Sequence, residues 1–95
     1  MDRDELDRAL ATAFDPSPGE RRVVARQAVD LGDSGRYESD VGAPLSPDAV
    51  VANLRDAPDG RLPERWNWWI GSLELAFGGY AEFRVRRFPD WEALR

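Results

Sequence analysis

Three tryptophans within four positions, Trp66, Trp68 and Trp69 in the stretch RWNWWIGSLE (residues 65–74), constrain this 95-residue chain more than any other feature. A chain of that length makes one domain, residues 1–95, with one modest core and about 60–68% of its unfolded surface buried. A tryptophan buries roughly 150–250 Å². A cluster of them is either a large part of that core or a surface that another molecule covers.

How the cluster divides between these roles depends on the local structure. Read as a helix from Pro63, residues Trp66, Trp69, Ile70, Leu73 and Phe77 form one stripe, closed by Gly78. Read as a hairpin, GSLELAF alternates, GGY turns and AEFRVRRF alternates back. A three-residue loop at 78–80 then pairs Phe77 with Ala81, Leu75 with Phe83 and Leu73 with Val85, and sets Glu74 opposite Arg84. Gly71 and the aromatic run favour strand over helix. The hairpin is therefore the expectation, preceded by a short helical turn at 63–68. Neighbouring strand residues point to opposite faces. Trp69 then extends the core face of Leu73, Leu75, Phe77, Phe83 and Val85, and Trp68 joins the other face.

The remainder reads as helices. Leu6, Ala9, Leu10, Ala13 and Phe14 recur at steps of three and four, and Val24, Ala28 and Leu31 follow in a second helix that Gly32 ends. Ser17 and Ser46 each precede a proline, the pattern of an N-cap with proline at the first helical position, and Glu20 gives Ser17 capping-box spacing. The second cap opens a helix carrying Val50, Val51 and Leu54. Residues 33–45 lack helical period, and Tyr37, Ser39 and Val41 alternate as a short edge strand would. The expected fold class is α+β: three helices packed against a C-terminal antiparallel β-hairpin, with this third short strand as an option. An all-α four-helix arrangement is the alternative.

Composition excludes more chemistry than it suggests. With neither histidine nor cysteine, the chain has no usual general base, no thiolate nucleophile and no common metal ligand beyond carboxylates. DRDELD lacks the spacing and glycine of a calcium loop. GDSG at 32–35 resembles the nucleophile region of trypsin-like serine proteases, but a triad needs a histidine, and a helix end running into a turn explains it. No metal, no cofactor and no enzymatic activity are expected. The charged, apolar-poor start and the lack of any long apolar run point to a cytoplasmic chain with no membrane partner.

All 13 basic residues are arginine, against 18 acids, for a net charge of −5. This acidic, lysine-free composition resembles that of small proteins from salt-loving archaea, in which concentrated salt screens self-repulsion.

The order helix, short strand, helix, short helix, hairpin over residues 18–88 resembles the winged helix-turn-helix family. That resemblance implies DNA binding, with Arg61 and Arg65 near the groove and Arg84, Arg86 and Arg87 on the wing. Residues 61–95 hold 6 arginines against 5 acids, whereas residues 1–60 hold 7 against 13. The leading expectation is nevertheless a small non-enzymatic binding module, acting by protein contact or self-association. Its face would be Trp68, Ile70, Arg84, Arg86 and Phe88, a mixture of aromatic and arginine side chains typical of interfaces.

Overall fold

The computed structural model describes residues 1–86, and they form an all-α domain. Helix α1 spans Arg3–Phe14, α2 Pro18–Ser34, α3 Arg36–Val41, α4 Pro47–Arg55 and α5 Leu62–Phe77, followed by a 3₁₀ turn at Ala81–Phe83. Helix α2 is central, packing on α1, α3, α5 and the 3₁₀ turn, while α4 bridges α1 and α5.

Local signals explain most boundaries. Asp2 caps α1, its Oδ1 accepting the N–H groups of Asp4 at 2.8 Å and Glu5 at 3.4 Å. Ser17 caps α2 in a capping box: its hydroxyl accepts the Glu20 N–H at 3.2 Å, and the Glu20 carboxylate accepts the Ser17 N–H at 2.9 Å. Ser46 caps α4, accepting the Ala49 N–H at 3.1 Å. Proline stands in the first turn of both α2 and α4. Leu6 and Leu10, then Val24, Ala28 and Leu31, then Val50 and Leu54 enter the core, as their spacing predicts.

The expected α+β class is overturned, since no strand occurs among the described residues. Helix α2 does not stop at Gly32 but runs to Ser34, and Gly35, at φ 76°, ends it in the left-handed conformation. The segment read as an edge strand is the short helix α3. Of its alternating trio only Tyr37 is buried, whereas Ser39 and Val41 are exposed, so no strand face is present to bury.

The larger correction is at the C-terminal third, where residues 62–77 are a single helix and there is no hairpin. Trp66, Trp69, Ile70 and Leu73 are all buried in one stripe. At about 1.5–3 kcal/mol for each large apolar side chain, that stripe outweighs the roughly 1 kcal/mol that Gly71 costs a helix. The Glu64 carboxylate also accepts the Arg61 N–H at 2.8 Å, pairing a donor at the helix entrance. The alternation at 73, 75 and 77 misled because a helix separates those positions: Leu73 is buried, but Leu75 is 91% and Phe77 48% exposed.

Candidate functional site

Beyond Gly78 and Gly79 the chain does turn back, but along a helix rather than a strand. Three sets of hydrogen bonds fix its course. Glu74 Oε1 accepts the N–H groups of Tyr80 at 2.7 Å and Ala81 at 3.0 Å. Trp66 Nε1 donates to the Phe83 carbonyl at 2.8 Å. The Asn67 side chain donates to the Val85 carbonyl at 2.8 Å and accepts the Val85 N–H at 2.7 Å. Residues 80–85 therefore run antiparallel to α5, from Glu74 towards Asn67. The Glu74 carboxyl is held below its usual range, first by the Tyr80 N–H.

Tyr80 anchors this return segment. Its ring is fully buried, its hydroxyl donates to Asp40 Oδ2 at 2.7 Å, and the Arg36 guanidinium lies 5.9 Å from its centroid. Burial first, and then the Asp40 carboxylate, push the phenol well above its ordinary range. Tyr37 of the same short helix meets Trp69 edge-on at 5.9 Å, and Trp69 meets Trp66 edge-on at 5.4 Å.

The tetrapeptide Trp66–Asn67–Trp68–Trp69 thus divides its work. Trp66 and Asn67 bind the return segment and Trp69 fills the core, leaving Trp68 at 42% exposure beside them. Between α5 and the return segment lies an open groove of about 510 Å³. Trp68 and Leu75 wall it on the helix side, Ala81 and Arg84 on the other, with Gly71 between them. A Cβ placed on Gly71 would meet nothing within 4 Å, so the missing side chain leaves the groove open.

The expected contact residues separate accordingly. Trp68 and Arg84 border this groove, and Arg86 borders an adjoining hollow shared with Asn67 and Arg84. Ile70 lies beneath the groove with its own surface fully covered, because in a helix it belongs to the core stripe. Phe88 and Arg87 lie outside the described residues.

Of the residues that the winged-helix resemblance placed near DNA, Arg61 and Arg65 are engaged within the protein. The Arg61 guanidinium bonds the buried Glu20 carboxylate. Burial alone would raise the pKa of Glu20, but the bonds from Arg61 and Ser17 hold it below the usual carboxylate value. Arg65 donates to the carbonyls of Gly60 at 3.0 Å and Leu54 at 3.2 Å, and lies over the Phe14 ring. The hairpin that would serve as a wing does not occur among the described residues.

Asn67 and Tyr80 were not singled out by sequence reasoning, whereas Gly71 entered it only as a residue disfavouring a helix and Glu74 only as the strand-face partner of Arg84. Asn67 did carry a signal, as one of only two asparagines in the chain. Among the described residues no cluster of three or more acidic side chains is arranged to hold a metal ion, and no helix is long and apolar enough to cross a membrane. Neither a curated protein nor a solved structure matches the sequence. Residues 1–74 match the WNWW domain, whose description spells the residues at positions 66–69, and the chain belongs to that family.

Proposed function

We propose that this protein is a small non-enzymatic binding module whose contact surface is the groove along α5, with Trp68, Leu75 and Arg84 as its principal contacts. The observation that carries the reading is the exposure of Trp68 and Leu75 along the helix wall of an open groove, while the other residues of the tetrapeptide are used in packing. Exposed tryptophan with arginine alongside is the composition from which interface hot spots are drawn. The absence of histidine and cysteine supports binding over catalysis. Because Arg61 and Arg65 are committed to internal bonds, the groove carries the proposal rather than a DNA-reading surface. The acidic, lysine-free composition supports a cytoplasmic setting rich in salt, like that of the haloarchaeal proteins it resembles.

A photo-cross-linking residue, p-benzoylphenylalanine, placed at Leu75 tests this reading in concentrated-salt lysate. Specific protein adducts that disappear when Arg84→Glu is added are expected. Absence of any adduct, including to a second copy of the chain, overturns it.

A further inference from the structure

We infer that the groove is an isologous self-association surface: two copies dock their α5 helices antiparallel, each closing the other's groove. This deepens the proposed reading by naming the occupant, and rests on it.

The spacing along α5 is self-complementary. Trp68, Gly71, Ser72 and Leu75 follow steps of three and four, so they share one side of the helix, and that side is solvent-facing at Trp68, Ser72 and Leu75. A two-fold axis passing between Gly71 and Ser72 brings Trp68 of one copy to Leu75 of the other, and Leu75 to Trp68. The small residues meet at the centre, where they allow the helix backbones to approach closely. Contact of this kind is the isologous geometry of two-fold dimers. The walls match in size, with a large apolar side chain at each end and a notch between them.

Charge is self-complementary in the same sense. The return segment runs antiparallel to α5, placing exposed Glu82 towards the Leu75 end and exposed Arg84 and Arg86 towards the Trp68 end. Antiparallel docking sets the basic end of one copy against the acidic end of the other. A chain with net charge −5 repels its own copies overall, so this local pairing matters for orientation, and screening by salt permits the approach.

Sedimentation equilibrium of the full chain in about 3 M KCl, the regime of very short Debye length, tests the inference. A concentration-dependent monomer–dimer equilibrium is expected. Leu75→Glu and Gly71→Gln should each raise the dimer dissociation constant at least about ten-fold, with the helical circular dichroism of the monomer retained. At a lower salt of about 0.5 M KCl, where exposed pairs are less screened, Glu82→Arg or Arg84→Glu alone should weaken the dimer, and the two together should restore it. A strictly monomeric chain, or a dimer indifferent to Leu75→Glu and Gly71→Gln, overturns the inference. So does a double charge swap that is no tighter than either single change. A monomer that still gives Arg84-dependent adducts with another protein from Leu75 would leave the groove a binding site while removing the second copy as its occupant.

Discussion

The side-chain amide of Asn67 pairs with the peptide groups of Val85 in both directions, donating at 2.8 Å and accepting at 2.7 Å. It offers the chain the same donor and acceptor that a neighbouring strand would, so a single helical residue holds an extended segment. Val85 is buried, and water cannot replace either bond at no cost. Asn67→Asp keeps the acceptor, removes the donor and turns a carboxylate towards the Val85 carbonyl. It should lower stability by about 1–3 kcal/mol, read as a fall in the urea midpoint with an unchanged slope. A shift below about 0.5 kcal/mol, the range of an indifferent surface change, would show that the clamp contributes nothing.

The two serine caps give a second expectation. Ser17→Ala and Ser46→Ala should each cost about 0.5–2 kcal/mol. Each change removes one hydroxyl acceptor, Ser17 Oγ for the Glu20 N–H and Ser46 Oγ for the Ala49 N–H, while the Ser17 backbone N–H keeps its bond to the Glu20 carboxylate, so the two losses should be similar. A much larger loss for Ser17→Ala would show that the Glu20–Arg61 pair depends on the hydroxyl as well.

Those caps were legible because capping is local: a serine, a proline and a glutamate at fixed spacing suffice. The same is true of the apolar stripes in α1, α2 and α4. The C-terminal third was not legible, because its two readings share residues. Leu73, Trp69 and Phe77 are core in either, while Leu75 is core only in a hairpin. Apparent pairing of Glu74 with Arg84 favoured that hairpin, yet the Glu74 carboxylate accepts backbone N–H groups at Tyr80 and Ala81 instead. Local alternation cannot report that a return segment will be held by Trp66 and Asn67, 17 and 18 residues earlier. At the groove, Trp68 could be expected at the surface from either reading, whereas Gly71 gains its meaning only once the helix is known.

Two titrations should move stability in opposite directions. The Glu20 carboxyl is held below its ordinary value in the fold, so its contribution is present above the unfolded pKa of about 4.3 and is lost as pH falls through the folded value. Glu20→Gln should flatten the acid limb of a stability–pH curve. Tyr80 is pushed upward, so its contribution is present below about pH 10 and is lost as pH rises beyond it. Tyr80→Phe should flatten the alkaline limb and cost about 0.5–1.5 kcal/mol at neutral pH. An unchanged limb in either variant counts against the corresponding assignment.

Salt should stabilise the fold. Direct ion pairs such as Arg21–Asp7 and Arg61–Glu20 tie some arginines to acids, but Asp2, Asp4 and Glu5 crowd the exposed start of α1, and Asp30 and Asp33 lie exposed near the end of α2. Screening that excess relieves repulsion present in the folded state. The thermal midpoint should climb between about 0.1 and about 3 M KCl. A flat profile would show that the acidic surface does not limit stability.

The tryptophans should separate by function when they are replaced one at a time, with stability read at concentrations where the chain is monomeric and association read at higher ones. Trp69 is 4% exposed and touches both Trp66 and Tyr37, so Trp69→Ala empties the junction of α3 and α5 and should cost about 3–5 kcal/mol. Trp66→Phe keeps most of the ring volume but strands the Phe83 carbonyl without its indole donor. A loss of about 1–3 kcal/mol is expected, with loosening of the return segment visible as faster amide exchange at residues 83–85. Trp68 lends its backbone carbonyl to Ser72, a bond that survives substitution, and its ring faces solvent beside the groove. Trp68→Ala should therefore stay within about 0.5 kcal/mol of the parent while losing association. If Trp68→Ala unfolds the domain as readily as Trp69→Ala, the exposed ring is part of the scaffold, and the groove loses its principal anchor.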